Sequence, residues 1–143
     1  MNATITPYLF FHGRCLEALD FYRDSLGAEI GPVMLFSQSP EPIPEGFLEP
    51  GFENKVMHGS FSIEGARVHV ADGDSCDGDF SGFRLTLTPS SAEKGSGYFE
   101  ALAQGGTVEM PLGPTFFSPL FGMVTDKFGV GWMILVQEPS EPG

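Results

Sequence analysis

The chemistry-bearing residues of this chain are few. Of its 143 residues only seven are Lys or Arg, against 19 Asp or Glu. Arg67 and His69 stand two apart in the run Ala66–Ala71, and Arg84, Thr86 and Thr88 repeat that spacing in a second apolar run. In an extended strand, side chains two apart share a face. Arg67 and His69 are therefore expected opposite Val68 and Val70, and Arg84, Thr86 and Thr88 opposite Phe83, Leu85 and Leu87, whose apolar face packs under a helix. A planar guanidinium donates two parallel hydrogen bonds to a carboxylate or phosphonate. Threonine hydroxyls add donors, and Met123, Met133, Phe116 and Phe117 offer apolar or aromatic walls. The set Arg67, His69, Arg84, Thr86 and Met133 thus fits a pocket for a small, partly apolar anion. The competing arrangement pairs both arginines with acidic neighbours or places them in a dimer contact.

Other reactive side chains are weaker candidates. His12 precedes Gly13 and reads as a turn residue, while His58 in VMHGSF reads as a structural hydrogen-bond partner because no carboxylate at a telling spacing orients it. Asp72, Asp74, Asp77 and Asp79 lack the alternation and closing glutamate of a calcium loop, so they read as a solvated acidic loop. No G-x-S-x-G nucleophile motif occurs. Cys15, in a helical pattern, and Cys76, in the acidic loop, fit neither a disulfide framework nor paired metal ligands and are expected to be unpaired thiols.

The elements that must position these residues follow from pattern and punctuation. Strands are expected at Ile5 to Phe11 and Glu29 to Phe36, with a helix between them over Leu16, Leu19, Phe21, Tyr22 and Leu26, stopped by Gly27. Residues 37 to 54 hold four prolines, two glycines and four glutamates, which makes a long loop whose Phe47, Leu48 and Phe52 are the residues able to dock. Strands at Val56 to Ile63 and Ala66 to Ala71 flank a Glu64-Gly65 hairpin turn. The second half repeats this order: a strand from Phe83 to Thr88, a helix from Ala92 to Gln104, then strands at Thr107 to Met110, Phe121 to Thr125 and Gly131 to Val136, with Trp132 in the helix-facing core. The helix ends FYRDSLGAEI and FEALAQGGTV align at a shift of 78 residues. The expected fold is α+β, two βαβββ modules (about 1–78 and 79–138) forming a cupped mixed sheet with helices on its outer face, followed by a short disordered tail.

A net charge of −12 repels phosphate backbones and anionic membrane surfaces, so no nucleic-acid or membrane partner is expected. No run approaches the roughly 18 to 20 apolar residues of a membrane span, and MNATITPYLFF lacks the basic segment of a signal peptide, which points to the cytoplasm. Open sheet edges and an apolar flank favour a homodimer.

The paired module order and the runs LDFYRDSLGAEI, KVMHGSF, FEALAQGGTVEMPL and FGMVTDKFGVGWMI resemble the vicinal oxygen chelate superfamily, which includes glyoxalase I, bleomycin-resistance proteins and extradiol dioxygenases, and within it the PhnB-like branch. Members of that branch often carry the label 3-demethylubiquinone-9 3-methyltransferase, yet no glycine-rich turn joins a strand to a helix here as a nucleotide-type cofactor requires. The resemblance implies four metal-ligand positions, which fall on Pro7, His69, Arg84 (or Phe83) and Met133. One histidine is too few for a catalytic metal, so no metal or other cofactor is expected. The implied function is a dimeric, metal-free binder of a small molecule, with an enzyme acting on that molecule as the alternative.

Overall fold

A computed structural model describes residues 3–137, and the expected disordered tail lies outside the described residues beyond 137. The chain divides into two compact units, Met1–Gly78 and Asp79–Gly143. Each contains one helix and one mixed sheet, so the class is α+β.

The first unit runs β1 (Tyr8–Phe10), α1 (Cys15–Leu26), β2 (Glu29–Ile30), β3 (Met34–Leu35), β4 (Val56–Ile63) and β5 (Ala66–Ala71). Its sheet order is β1-β5-β4-β2, with β3 also paired to β4; β1 lies parallel to β5 and the other pairs are antiparallel. Helix α1 buries Cys15, Ala18, Leu19, Tyr22 and Leu26. That spacing of three and four makes one apolar stripe, and it packs on the sheet where the Tyr22 ring meets Phe61 at 5.1 Å. Leu16 falls off the stripe and is half exposed, because the helix begins at Cys15. Glu64 (φ 49°) and Gly65 (φ 89°) are both left-handed, the backbone of a tight two-residue hairpin turn.

Three expectations for this unit need correction. Strand β1 starts at Tyr8 rather than Ile5, which is fully exposed, and Pro7 has no N–H to offer a ladder. The strand expected over Glu29 to Phe36 breaks at Gly31-Pro32-Val33 and resumes at Met34, again at a proline. Phe36 instead opens a 3₁₀ turn, Phe36–Gln38, and a second at Phe52–Asn54 closes the long loop. That loop is anchored: Phe36 and Phe52 are buried, and the Glu49 N–H donates to the Asp74 carbonyl at 2.8 Å.

The second unit runs β6 (Leu85–Leu87), α2 (Ala92–Leu102), β7 (Thr107–Gly113), β8 (Leu120–Thr125) and β9 (Gly131–Val136), in sheet order β6-β9-β8-β7 with β6 parallel to β9. Ser91 caps α2 by accepting from the Lys94 N–H at 3.1 Å. The helix buries Gly95, Phe99 and Leu102, and the sheet contributes Val124, Trp132, Ile134 and Val136 to the core. Pairing of β6 with β9 begins at Leu85, so Phe83 lies outside the ladder and is half exposed instead of packing under α2; Leu87 carries that face. Strand β7 continues three residues beyond Met110, through an irregular register against β8.

Each unit also holds a buried carboxylate. Asp72 Oδ1 accepts from the N–H groups of Gly13 and Cys15, and Oδ2 from that of Val56, all at 2.8 Å. Asp126 accepts from the Phe128 and Val130 N–H groups and from Trp132 Nε1 at 2.9 to 3.1 Å. Asp72, read from sequence as solvated, is therefore a core residue that ties the start of α1 and of β4 to the end of β5.

Candidate functional site

On the face of the first sheet opposite α1, strand register lines up two rows. Arg67, Ser62 and Glu29 lie across β5, β4 and β2, and Tyr8, His69 and Ser60 across β1, β5 and β4. A cavity of about 390 Å³ is lined there by Glu29, Gly31, Pro32, His58, Ser60, Ser62, Arg67 and His69, among others. Arg67 is exposed rather than enclosed, and His69 is partly buried. Glu29 sits two strands from Arg67, about 10 Å away at ordinary strand spacing, and among the described residues Arg67 makes no ion pair.

Aromatic rings organise one side of this cavity. Tyr8 stacks on Phe10 (centroids 5.0 Å apart) and on His69 (5.7 Å), and His69 stacks on His58 (5.4 Å). Tyr8 Oη and His58 Nδ1 are hydrogen-bonded at 3.1 Å, which supplies the structural partner expected for His58. Burial, reinforced by the neighbouring Cys15, raises the Tyr8 pKa. The phenol therefore stays protonated, and either partner can supply the hydrogen of this bond. His69 Nδ1 is buried with no hydrogen-bond partner. An unsatisfied buried polar atom costs about 1–3 kcal/mol.

In the second unit a cavity of about 500 Å³ is lined by Phe80, Phe83, Arg84, Thr125, Gly129, Gly131 and Met133, among others. Arg84 is half buried and makes long hydrogen bonds to the Val124 and Trp132 carbonyls, at 3.4 and 3.5 Å. Its side chain lies across Gly131, where a Cβ would come within 3.0 Å of it, so the glycine makes room for the arginine. Arg84 also makes no ion pair among the described residues.

The first cavity thus gathers Arg67 and His69, and the second gathers Arg84 and Met133. Thr86 is exposed beside Met133 in the strand register and does not line the second cavity. Phe116 is fully exposed and Phe117 half exposed, so neither is a wall of it. Sequence reasoning passed over Tyr8, Ser60, Ser62 and Glu29. The signal for the serines was present: His58, Ser60 and Ser62 alternate with buried Phe61 and Ile63 along β4. His12 is the expected turn residue (φ 53°), its Nδ1 3.3 Å from the Ser75 carbonyl oxygen.

Both cysteines are free. Burial and the nearby Asp72 push the Cys15 thiol far up, while a hydrogen bond to Glu49 raises that of exposed Cys76. Neither is an activated nucleophile. At the positions that the resemblance implies for a metal stand Pro7, His69, Arg84 (or Phe83) and Met133: no donor, an imidazole, a cation (or a phenyl ring) and a thioether. That set does not fit a hard or borderline cation, and among the described residues no three His, Cys, Asp or Glu side chains cluster to hold one. No helix among those residues is long and apolar enough to cross a membrane.

The family model for 3-demethylubiquinone-9 3-methyltransferase matches residues 3–135. Protein YjdN of Escherichia coli K12 is 36% identical over 147 residues, covering 96% of this chain and 99% of its own length. The solved structure of a putative 3-demethylubiquinone-9 3-methyltransferase, PhnB protein, from Bacillus cereus is 30% identical, with a TM-score of 0.72 over 94% of this chain and 99% of that one. At 14% identity, the fosfomycin resistance protein FosX of Listeria monocytogenes shares the fold alone, with a TM-score of 0.61 over 94% of this chain and 93% of that one. The chain therefore belongs to the 3-demethylubiquinone-9 3-methyltransferase-like, PhnB-type family.

Proposed function

We propose that this protein is a metal-free, homodimeric binding protein of the cytoplasm that holds a small anion, a carboxylate or phosphonate with an apolar part. The observation that carries this reading is the first unit's cavity. It presents Arg67, which makes no ion pair among the described residues, beside two serine hydroxyls and two imidazoles, with Glu29 the one carboxylate of its lining. A guanidinium in that setting keeps its paired donors for a guest. Arg84 and Met133 supply the same pairing of cation and apolar wall in the second unit's cavity, with Thr86 at its margin. The donor set at the family's metal positions favours binding over metal-assisted chemistry. Val108, Met110, Phe116 and Phe117 are exposed apolar side chains of the second unit that a second copy would cover.

Calorimetric titration with phenylphosphonate tests the reading. Saturable binding is expected, weakened about tenfold or more in Arg67→Met and in Arg84→Met, since a hydrogen bond to a charged group contributes about 1.5–3 kcal/mol. Unchanged affinity in both variants would overturn it.

A second reading, a metal-free enzyme, draws on the hydrogen bond between Tyr8 and His58: with Nδ1 donating to the phenol oxygen, the other ring nitrogen, Nε2, is left to accept a proton at the cavity wall. Exchange of a bound carbon acid's proton with deuterated solvent, followed by NMR and lost in His58→Gln, would favour that enzyme. Binding without exchange favours the binding protein.

A further inference from the structure

The first unit has another cavity, of about 390 Å³, with a different character. Its walls are Phe10, Phe36, Phe47, Met57 and Ala71, and among the described residues its ionisable lining groups are His12 and Asp74. Phe47 is contributed by the long proline-rich loop. That loop is held in place by burial of Phe36 and Phe52 and by the hydrogen bonds of Glu49 to Asp74 and Cys76. Both Phe10 and Phe47 are about half exposed at 45% and 53%, so both rings are accessible to an entering molecule, Phe10 having one face stacked on Tyr8.

The two segments that frame this cavity, 37–54 and 72–78, contain no Lys or Arg. They carry Glu41, Glu45, Glu49, Glu53, Asp74 and Asp77, besides the buried Asp72 whose oxygens are filled by backbone N–H groups. The neighbouring Lys55 ammonium is engaged by the Gly13 carbonyl at 2.9 Å. His12 Nδ1 is committed to the Ser75 carbonyl, and its ring packs against Gly78. Aromatic walls beside the Asp74 carboxylate attract an organic cation twice over. The ring faces favour positive charge, and the acidic composition of the segments that supply Phe47 and Asp74 raises its local concentration, an effect that salt screens.

We infer that this cavity binds an apolar organic cation, such as a quaternary or aryl-alkyl ammonium, at a site separate from the anion cavity. The anion site uses Arg67 and His69, none of whose side chains line this one. The two cavities share no lining residue, although Phe10 of this one stacks on Tyr8, which stacks on His69 of the other, so Phe47 is the wall residue whose variant tests this site alone.

The test is calorimetric titration with benzyltrimethylammonium, with benzenesulfonate and benzyl alcohol as charge-reversed and neutral probes. Saturable binding of the ammonium, at least about tenfold tighter than either other probe and weakening as salt rises, is expected. Phe47→Ala should weaken it about fivefold to tenfold, and Glu49→Gln with Asp74→Asn should flatten its salt dependence. Arg67→Met should leave it unchanged. Phe47 is half exposed, so its truncation should fold, which circular dichroism would check; Phe10→Ala is the second wall variant. Absence of saturable binding, equal binding of benzenesulfonate, or an affinity indifferent to both phenylalanine variants would overturn the inference.

Discussion

Asp72 shows how one side chain can hold a unit together before any ligand is considered. It receives three backbone N–H groups from the α1 entry and β4 while 1% exposed. Removing its carboxylate would strand three buried donors. Asp72→Ala is therefore expected to cost about 3 kcal/mol or more, read as a lower urea midpoint. A loss below about 1 kcal/mol would contradict this role. Nothing in DGDSCDGD distinguishes Asp72 from its acidic neighbours, because the donors that bury it come from residues 13, 15 and 56 and meet only in the fold. Arg67 and His69 were legible as co-facial from spacing alone, whereas Tyr8 joins them only through the parallel pairing of β1 with β5.

Elements with strong local punctuation were readable: Glu64-Gly65 marks the β4–β5 hairpin, and the strands on either side have the bounds the pattern gives. Gly65→Ala should cost about 1 kcal/mol, because a Cβ disfavours its left-handed backbone. Thermal unfolding would show the loss, and an unchanged midpoint would contradict the turn assignment. Misread elements share a cause, the hydrogen-bonding partner. Apolar runs at Ile5 and Phe83 look like strand but have no ladder to join, and Pro32 interrupts β2 and β3 by lacking a donor. The long loop looked unstructured because its two 3₁₀ turns are stabilised by distant burial of Phe36 and Phe52 rather than by local periodicity.

For the whole molecule, a net charge of −12 coexists with arginines that keep their charge unspent at two cavities. The proposed dimer would cover the exposed Phe116 and its neighbours. Light scattering at micromolar concentration should give a dimer that Phe116→Asp weakens, and a wild-type monomer would contradict it. The central claim, an anion site at Arg67 and His69, can be read directly because the chain has only three histidines, two at that cavity and one elsewhere. The decisive measurement is the imidazole NMR spectrum during titration with phenylphosphonate. His58 and His69 should shift along one saturable curve while His12 stays fixed; no shift at His58 and His69, or the same shift at all three, would contradict the account.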